Sequence, residues 1–216
     1  TRRRGVPLVI IDQPPIDGVP HVGIDDEAAA HAAATHLREL GHERIAVISF
    51  SLQRQAEQQL WTLANWPGTS YAVTGRRLSG YARALQGHVP LDQVPLVTSR
   101  GSNERRGHDA ATRVLARSMP PTALLCLSDS LALGALAAAR DSGARVPDDL
   151  SIVGFDDIPS GRSSTPPLTT ISQSHRDKGR IAAGMLFAIL RGEQVEPVRQ
   201  LPARLLVRAS TAPPPA

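Results

Sequence analysis

Short, continuously apolar runs alternate along the chain with stretches in which apolar residues recur every three or four positions. PLVIID (7–12) is apolar up to its final Asp and predicts a strand buried on both faces. QPPIDGVP follows as a loop, and HVGID (21–25) predicts a second, shorter strand. Asp25 and Asp26 then stand where a helix N-cap belongs. Ala30, Ala33, Ala34 and Leu37 give the helical stripe, and Gly41 stops it. RIAVISF (44–50) predicts the next strand, and residues 51–64 fit a helix broken by NWPGTS. Further helices are predicted over 74–87, 102–118, 130–142 and about 174–191. Strands are predicted over 94–99, 122–128 and 151–155, with a single closing strand in RQLPARLLVRAS (199–210).

From Arg44 onward the order is β-α-β-α-β-α-β. Strands alternating with helices of crossover length imply a parallel sheet covered on both faces, an α/β fold. Ligands of such sheets sit beyond the carboxyl ends of the strands. Those ends read Ser49 with Ser51, Thr98–Ser99–Arg100, Ser128–Asp129 and Phe155–Asp156–Asp157. Each apolar strand exits into hydroxyls or charge, so several polar groups are expected on one rim.

Composition narrows the function classes. The 216 residues suit one large domain or two small ones, with 41% hydrophobic and 20% charged residues. The net charge is +4, carried almost wholly by Arg, with Lys178 the single lysine. The basic residues are dispersed and aromatics few, which excludes a stacking platform for single-stranded nucleic acid. The TRRR start reads as a solvated terminus and TAPPPA as a frayed end. A single Cys126 excludes an internal disulfide and fits a reducing, cytoplasmic compartment. No apolar run reaches membrane length, and the start does not read as a signal peptide. His31 and His36 are five apart, the wrong spacing for one helix face, and no metal pattern emerges. No phosphate loop and no nucleophile elbow are present, so neither cofactor nor enzymatic chemistry is expected.

Several strings together resemble the effector-binding core of the lactose-repressor (LacI/GalR-type) family of bacterial transcription regulators. They are VPLVIID, VGIDDEAAAHAAATHLRELGHERIAVIS, RRLSGYARAL, PPTALLCLSDSLALGALAAARDSGARVPDDLSIVGFDD and PPLTTISQS. The resemblance implies a two-lobed, periplasmic-binding-protein-like fold with doubly wound parallel sheets around an effector cleft. Mapped here, residues 1–40 with 173–192 form a partial amino-terminal subdomain, and 41–172 with 200–209 a complete carboxyl-terminal one. The family's DNA-reading segment, its hinge and the first part of the amino-terminal lobe are not among these residues. The incomplete lobe is expected to leave an apolar sheet edge open. The long segment 51–73 departs from the family's brief loop and is expected at the cleft rim.

The resemblance also assigns residues. Arg77 matches the family's effector-contacting Arg; a planar fork of donors suits vicinal hydroxyls or a carboxylate. The plainer reading is a surface helix Arg, as for Arg76. Asp156 matches the cleft carboxylate, against a turn-forming Asp, and Asp157 reads as structural. Ser128 stands where family members carry a ligand-reading Asn, and Asp129 is either the helix N-cap or a ligand contact. Ser102 and His175 stand where aromatics often stack on the ligand; Ser cannot stack and His does so weakly. The helix 130–142 is apolar nearly all round, with one face for the sheet. Its other face is either a homodimer interface, as the family implies, or covered by the chain itself.

The expected function is effector sensing by a transcription regulator. A small polar ligand, sugar-like or nucleoside-like, acts on operator DNA binding through the absent segment, in a homodimer. The alternative is an extracytoplasmic solute-binding protein of the same architecture. A small-molecule enzyme on this scaffold is a third class, for which no convergent nucleophile and base are found.

Overall fold

The apolar runs become strands wherever a neighbouring strand can take up their main-chain hydrogen bonds. A computed structural model describes residues 6–13, 16–53 and 59–215. In chain order the elements begin β1 (Ile10–Ile11), β2 (His21–Ile24), α1 (Asp26–Glu39), β3 (Ile45–Phe50), β4 (Gln59–Thr62) and α2 (Ala72–Leu85). They continue β5 (Pro95–Ser99), α3 (Glu104–Leu115), β6 (Ala123–Cys126), α4 (Asp129–Asp141), β7 (Ser151–Asp156) and α5 (Pro159–Arg162). The chain closes with β8 (Thr169–Ser172), α6 (His175–Leu190), β9 (Val198–Leu201) and β10 (Arg204–Leu206).

The chain divides into two units. Thr1–Asp25 with Gln173–Ala203 form the first, and Asp26–Ser172 with Arg204–Ala216 the second. The first unit holds a three-stranded parallel sheet, β1-β2-β9, with α6 packed on β1 and β2. Edge strand β1 leaves Ile11 exposed, but it is two residues long, so the apolar edge is short.

The second unit holds a seven-stranded sheet in the order β10-β8-β7-β6-β3-β5-β4. Its pairings are parallel except at the two ends, β10 on β8 and β4 on β5. Side chains alternate across it. Ala46, Ile48, Leu124, Cys126 and Ile152 share a core with Ala110 and Val114 of α3 and Leu131 and Ala135 of α4. The intervening Val47, Leu125 and Val153 therefore face the opposite layer, where α1 packs on α2. The chain leaves β3 toward the layer of α2, and leaves β5 and β6 toward α3 and α4. Open α/β sheets bind ligands beyond their carboxyl ends, where connections diverge to opposite faces.

Three expectations are corrected. Residues 59–62, expected in a helix, are the edge strand β4, antiparallel to β5. The segment is largely polar, with weak helical periodicity, and the free edge of β5 supplies a hydrogen-bond partner that no local pattern announces. Residues 54–58 of the same stretch lie outside the described residues. The single closing strand is two, β9 and β10, placed in different sheets on either side of Pro202 and Ala203. The boundary also moves: residues 26–40 fall in the second unit, because α1 packs on α2, and residues 200–203 fall in the first. Helix α4 packs beside α3 on one face of the sheet. A Cβ on Gly134 would collide with the Glu104 carbonyl, and one on Gly107 with the Leu131 carbonyl, so the two helices approach closely at paired glycines.

Candidate functional site

Helix α2 turns Leu78, Tyr81 and Leu85 into the core, and Arg77 goes in with them, only 5% exposed. A buried guanidinium needs partners for charge and donors alike. Its Cζ lies over the Phe155 ring, 3.6 Å from the centroid. Its Nε–H donates to Asp26 Oδ1 at 2.9 Å, and Nη1 donates to the Leu127 carbonyl at 2.7 Å. Nη1 also lies 3.9 Å from Asp156 Oδ1. One side chain thereby joins the start of α1 and the exits of β6 and β7. Asp26, 2% exposed, accepts on its second oxygen from Arg76 Nη2 at 3.3 Å.

Asp156 ends β7 with φ 122°, and Asp157 follows with φ 58°. Positive φ is unfavourable for both, so the strand exit is a strained corner held by its surroundings. The Asp156 side chain is 21% exposed, which leaves its carboxylate reachable beside the buried Arg77. Asp157 is buried and shapes the corner. Arg162 donates to it from Nε at 2.9 Å and Nη2 at 2.7 Å, and Arg208 Nη2 at 2.6 Å. Burial opposes its ionisation, but the two guanidiniums hold its carboxyl below the usual range.

Asp129 is fully buried. The Thr170 hydroxyl donates to Oδ1 at 2.6 Å, and the Ile158 N–H to Oδ2 at 2.8 Å. Burial pushes its carboxyl up. Both oxygens brace the corner that carries Asp156. The cap of α4 is Ser128 rather than Asp129: its hydroxyl accepts from Leu131 N–H at 3.2 Å. The Ser102 hydroxyl lies 2.7 Å from that of Ser128. Ser102 is exposed, in a depression lined by Asn103, Glu104, Arg105, Arg106 and Ser130.

Asp156, Ser128, Asp129 and Ser102 stand at carboxyl exits or helix starts of the second unit's sheet, and Arg77 reaches the exits of β6 and β7 from within α2. His175 belongs to the first unit, exposed at the start of α6. Sequence reasoning missed Asp26, taken for a cap. The Asp25–Asp26 doublet was the signal, but nothing local says which carboxylate turns inward. It also missed Lys178, which is 1% exposed. Lys178 donates to both oxygens of Asp12 at 2.7 and 2.8 Å and to the Gln173 amide oxygen, using all three of its protons.

Burial pushes the Cys126 thiol and the Tyr81 phenol up, so both stay protonated at neutral pH. Among the described residues, no group of three or more His, Cys, Asp or Glu is placed to hold a metal ion, and no helix is long and apolar enough to cross a membrane.

The family model for the periplasmic binding protein-like domain matches residues 34–211. The transcriptional repressor CytR of Escherichia coli K12 is 36% identical over 195 residues, covering 89% of this chain and 52% of CytR. The chain spans about half the length of the curated relatives it matches. A LacI-family regulator from Corynebacterium glutamicum superposes with TM-score 0.89 at 30% identity, covering 98% of this chain and 62% of that one. A LacI-family regulator from Enterococcus faecium, solved with bound ribose, superposes with TM-score 0.84 at 27% identity, covering 98% of this chain and 73% of that one. A matched domain model over most of the chain, a sheet with diverging connections and a charged rim at its carboxyl ends agree: the chain belongs to the periplasmic binding protein-like domain family, in the form found in LacI-family transcription regulators.

Proposed function

We propose that this chain is the effector-sensing part of a bacterial transcription regulator, and that a small polar ligand, sugar-like or nucleoside-like, binds at the rim of the second unit's sheet. The observation that carries the reading is the Arg77–Asp156 juxtaposition, 3.9 Å apart, with the acid reachable from solvent. Arg77 donates to the ligand and Asp156 accepts from it. Ser128 and Ser102 line the rim directly or through water. Asp129 acts from beneath. The bound ribose of the Enterococcus faecium regulator supports a sugar-like ligand.

The role is binding without chemistry. A ligand with different affinities for two arrangements of the regulator shifts the balance between them, and with it the affinity for operator DNA. The partners proposed are a second copy of the chain and operator DNA, bound through a segment outside these residues, in the cytoplasm.

A thermal-shift screen of sugars, polyols, nucleosides and phosphorylated metabolites on the full-length protein tests this. A ligand that raises the melting temperature of the wild type is expected to lose that effect in R77A and D156A. Full stabilisation retained in both variants contradicts the proposed site.

A further inference from the structure

We infer that Asp26 is a positioning residue of this site: it locks the Arg77 fork in one orientation and, by cancelling its charge, makes the site select uncharged polyhydroxylated ligands over phosphorylated or carboxylated ones. The inference rests on the reading of Arg77 and Asp156 as ligand contacts.

The geometry supplies the first half. Phe155 covers one face of the guanidinium, Asp26 holds its Nε edge, and the Leu127 carbonyl holds one Nη1 proton. Three of the five N–H positions remain on the fork beyond those two bonds. With a face and an edge taken, a ligand meets the guanidinium in its plane, from the Nη edge beside Asp156. Asp26 touches no part of that approach, so its action on a ligand runs through Arg77.

Charge supplies the second half. Arg76 and Arg77 both pair with Asp26, and Arg77 also faces Asp156, so each guanidinium stands against a carboxylate. Asp157 is matched separately by Arg162 and Arg208. A donor fork beside a carboxylate asks for groups that accept and donate at once. Vicinal hydroxyls do both: one takes a proton from Arg77 while its neighbour gives one to Asp156. A phosphate or carboxylate satisfies the fork but has no proton for Asp156 and meets like charge there. Neutralisation by Asp26 is what keeps the arginines from capturing anions.

The test is calorimetric titration of the full-length protein with ribose, cytidine and ribose 5-phosphate, joined to NMR of the Arg77 Nε–H. The wild type is expected to bind a neutral probe more tightly than ribose 5-phosphate. D26A is expected to speed exchange of the Arg77 Nε–H and weaken the neutral probe at least about tenfold, the order of a lost charge-assisted hydrogen bond. D26N, which keeps an acceptor but removes the charge, is expected to shift the preference toward ribose 5-phosphate by roughly tenfold. R76A leaves the Asp26–Arg77 bond in place, so it serves if D26A fails to fold. It is expected to weaken ribose 5-phosphate while sparing the neutral probe. A wild type that binds neither neutral probe, or prefers the phosphate, overturns the ligand class. D26A with unchanged affinity and Nε–H exchange, while R77A abolishes binding, overturns the positioning role alone. Unchanged affinity in R77A and D156A overturns the site itself, and this inference with it.

Discussion

Two residues before Asp156, β7 carries Gly154, and a Cβ there would collide with Asp129 Oδ1. The glycine makes room for the buried carboxylate that braces the strained corner at 156–157. G154A is expected to destabilise the second unit by about 1–3 kcal/mol, the range for an overpacked core, read as a lower urea midpoint at unchanged slope. S128A removes the cap of α4 and is expected to lower stability by about 1 kcal/mol in the same measurement. At this scale the sequence was legible in part. Arg77 and Asp156 stood in recognisable strings, and a serine before an apolar helix invites a capping role. Asp26 and Lys178 were not legible, because a buried charge is defined by partners far along the chain. Asp26 meets Arg77 across fifty-one positions, and Lys178 meets Asp12 across one hundred and sixty-six.

Apart from strand β8 and the short helix α5, the helices and central parallel strands followed from periodicity, and their ends shifted by only a few residues, because each pattern matches one buried face. Elements whose partner is distant did not follow. Strand β4 exists because β5 has a free edge, and β9 and β10 part company because each joins a different sheet. Helix α4 illustrates a second limit. An apolar circumference says that more than one side is in contact but not with what, and here α3 covers one flank of α4 within the same layer. Gly134 decides that contact. Replacing a mid-helix Gly by Ala gains about 1 kcal/mol of helix propensity. At this crossing the methyl would meet the Glu104 carbonyl, and separating two packed helices costs more than the propensity returns. G134A is therefore expected to lower the melting temperature; a rise would show that α3 and α4 do not cross at these glycines.

The second unit is also tied together across its length by its carboxyl-terminal strap. Ser210 accepts from Thr169 N–H at 2.8 Å and donates to the Ile152 carbonyl at 2.6 Å. His42, almost fully buried, reaches the Ala212 carbonyl from Nε2 at 2.9 Å and the Thr122 hydroxyl from Nδ1 at 2.9 Å. A carbonyl only accepts, so Nε2 carries the proton and the neutral ring accepts from Thr122 at Nδ1. Burial lowers the affinity of His42 for a second proton, and burial lowers that of His36 likewise. The unfolded chain then takes up protons near pH 6.5 that the folded protein refuses. This contribution is complete above that pH and declines as pH falls below it. Asp129, raised by burial, works in the opposite sense from about pH 3.8 upward. Urea midpoints from pH 8 to 5 are therefore compared between wild type and H42N, which is expected to show the shallower loss; equal slopes contradict the assignment. The most direct test of the ligand site is a crystal structure of the full-length regulator with ribose. One sugar hydroxyl is expected within hydrogen-bonding distance of an Arg77 Nη nitrogen and its neighbour within that distance of an Asp156 oxygen. Ribose bound with both of those groups facing only protein contradicts the account.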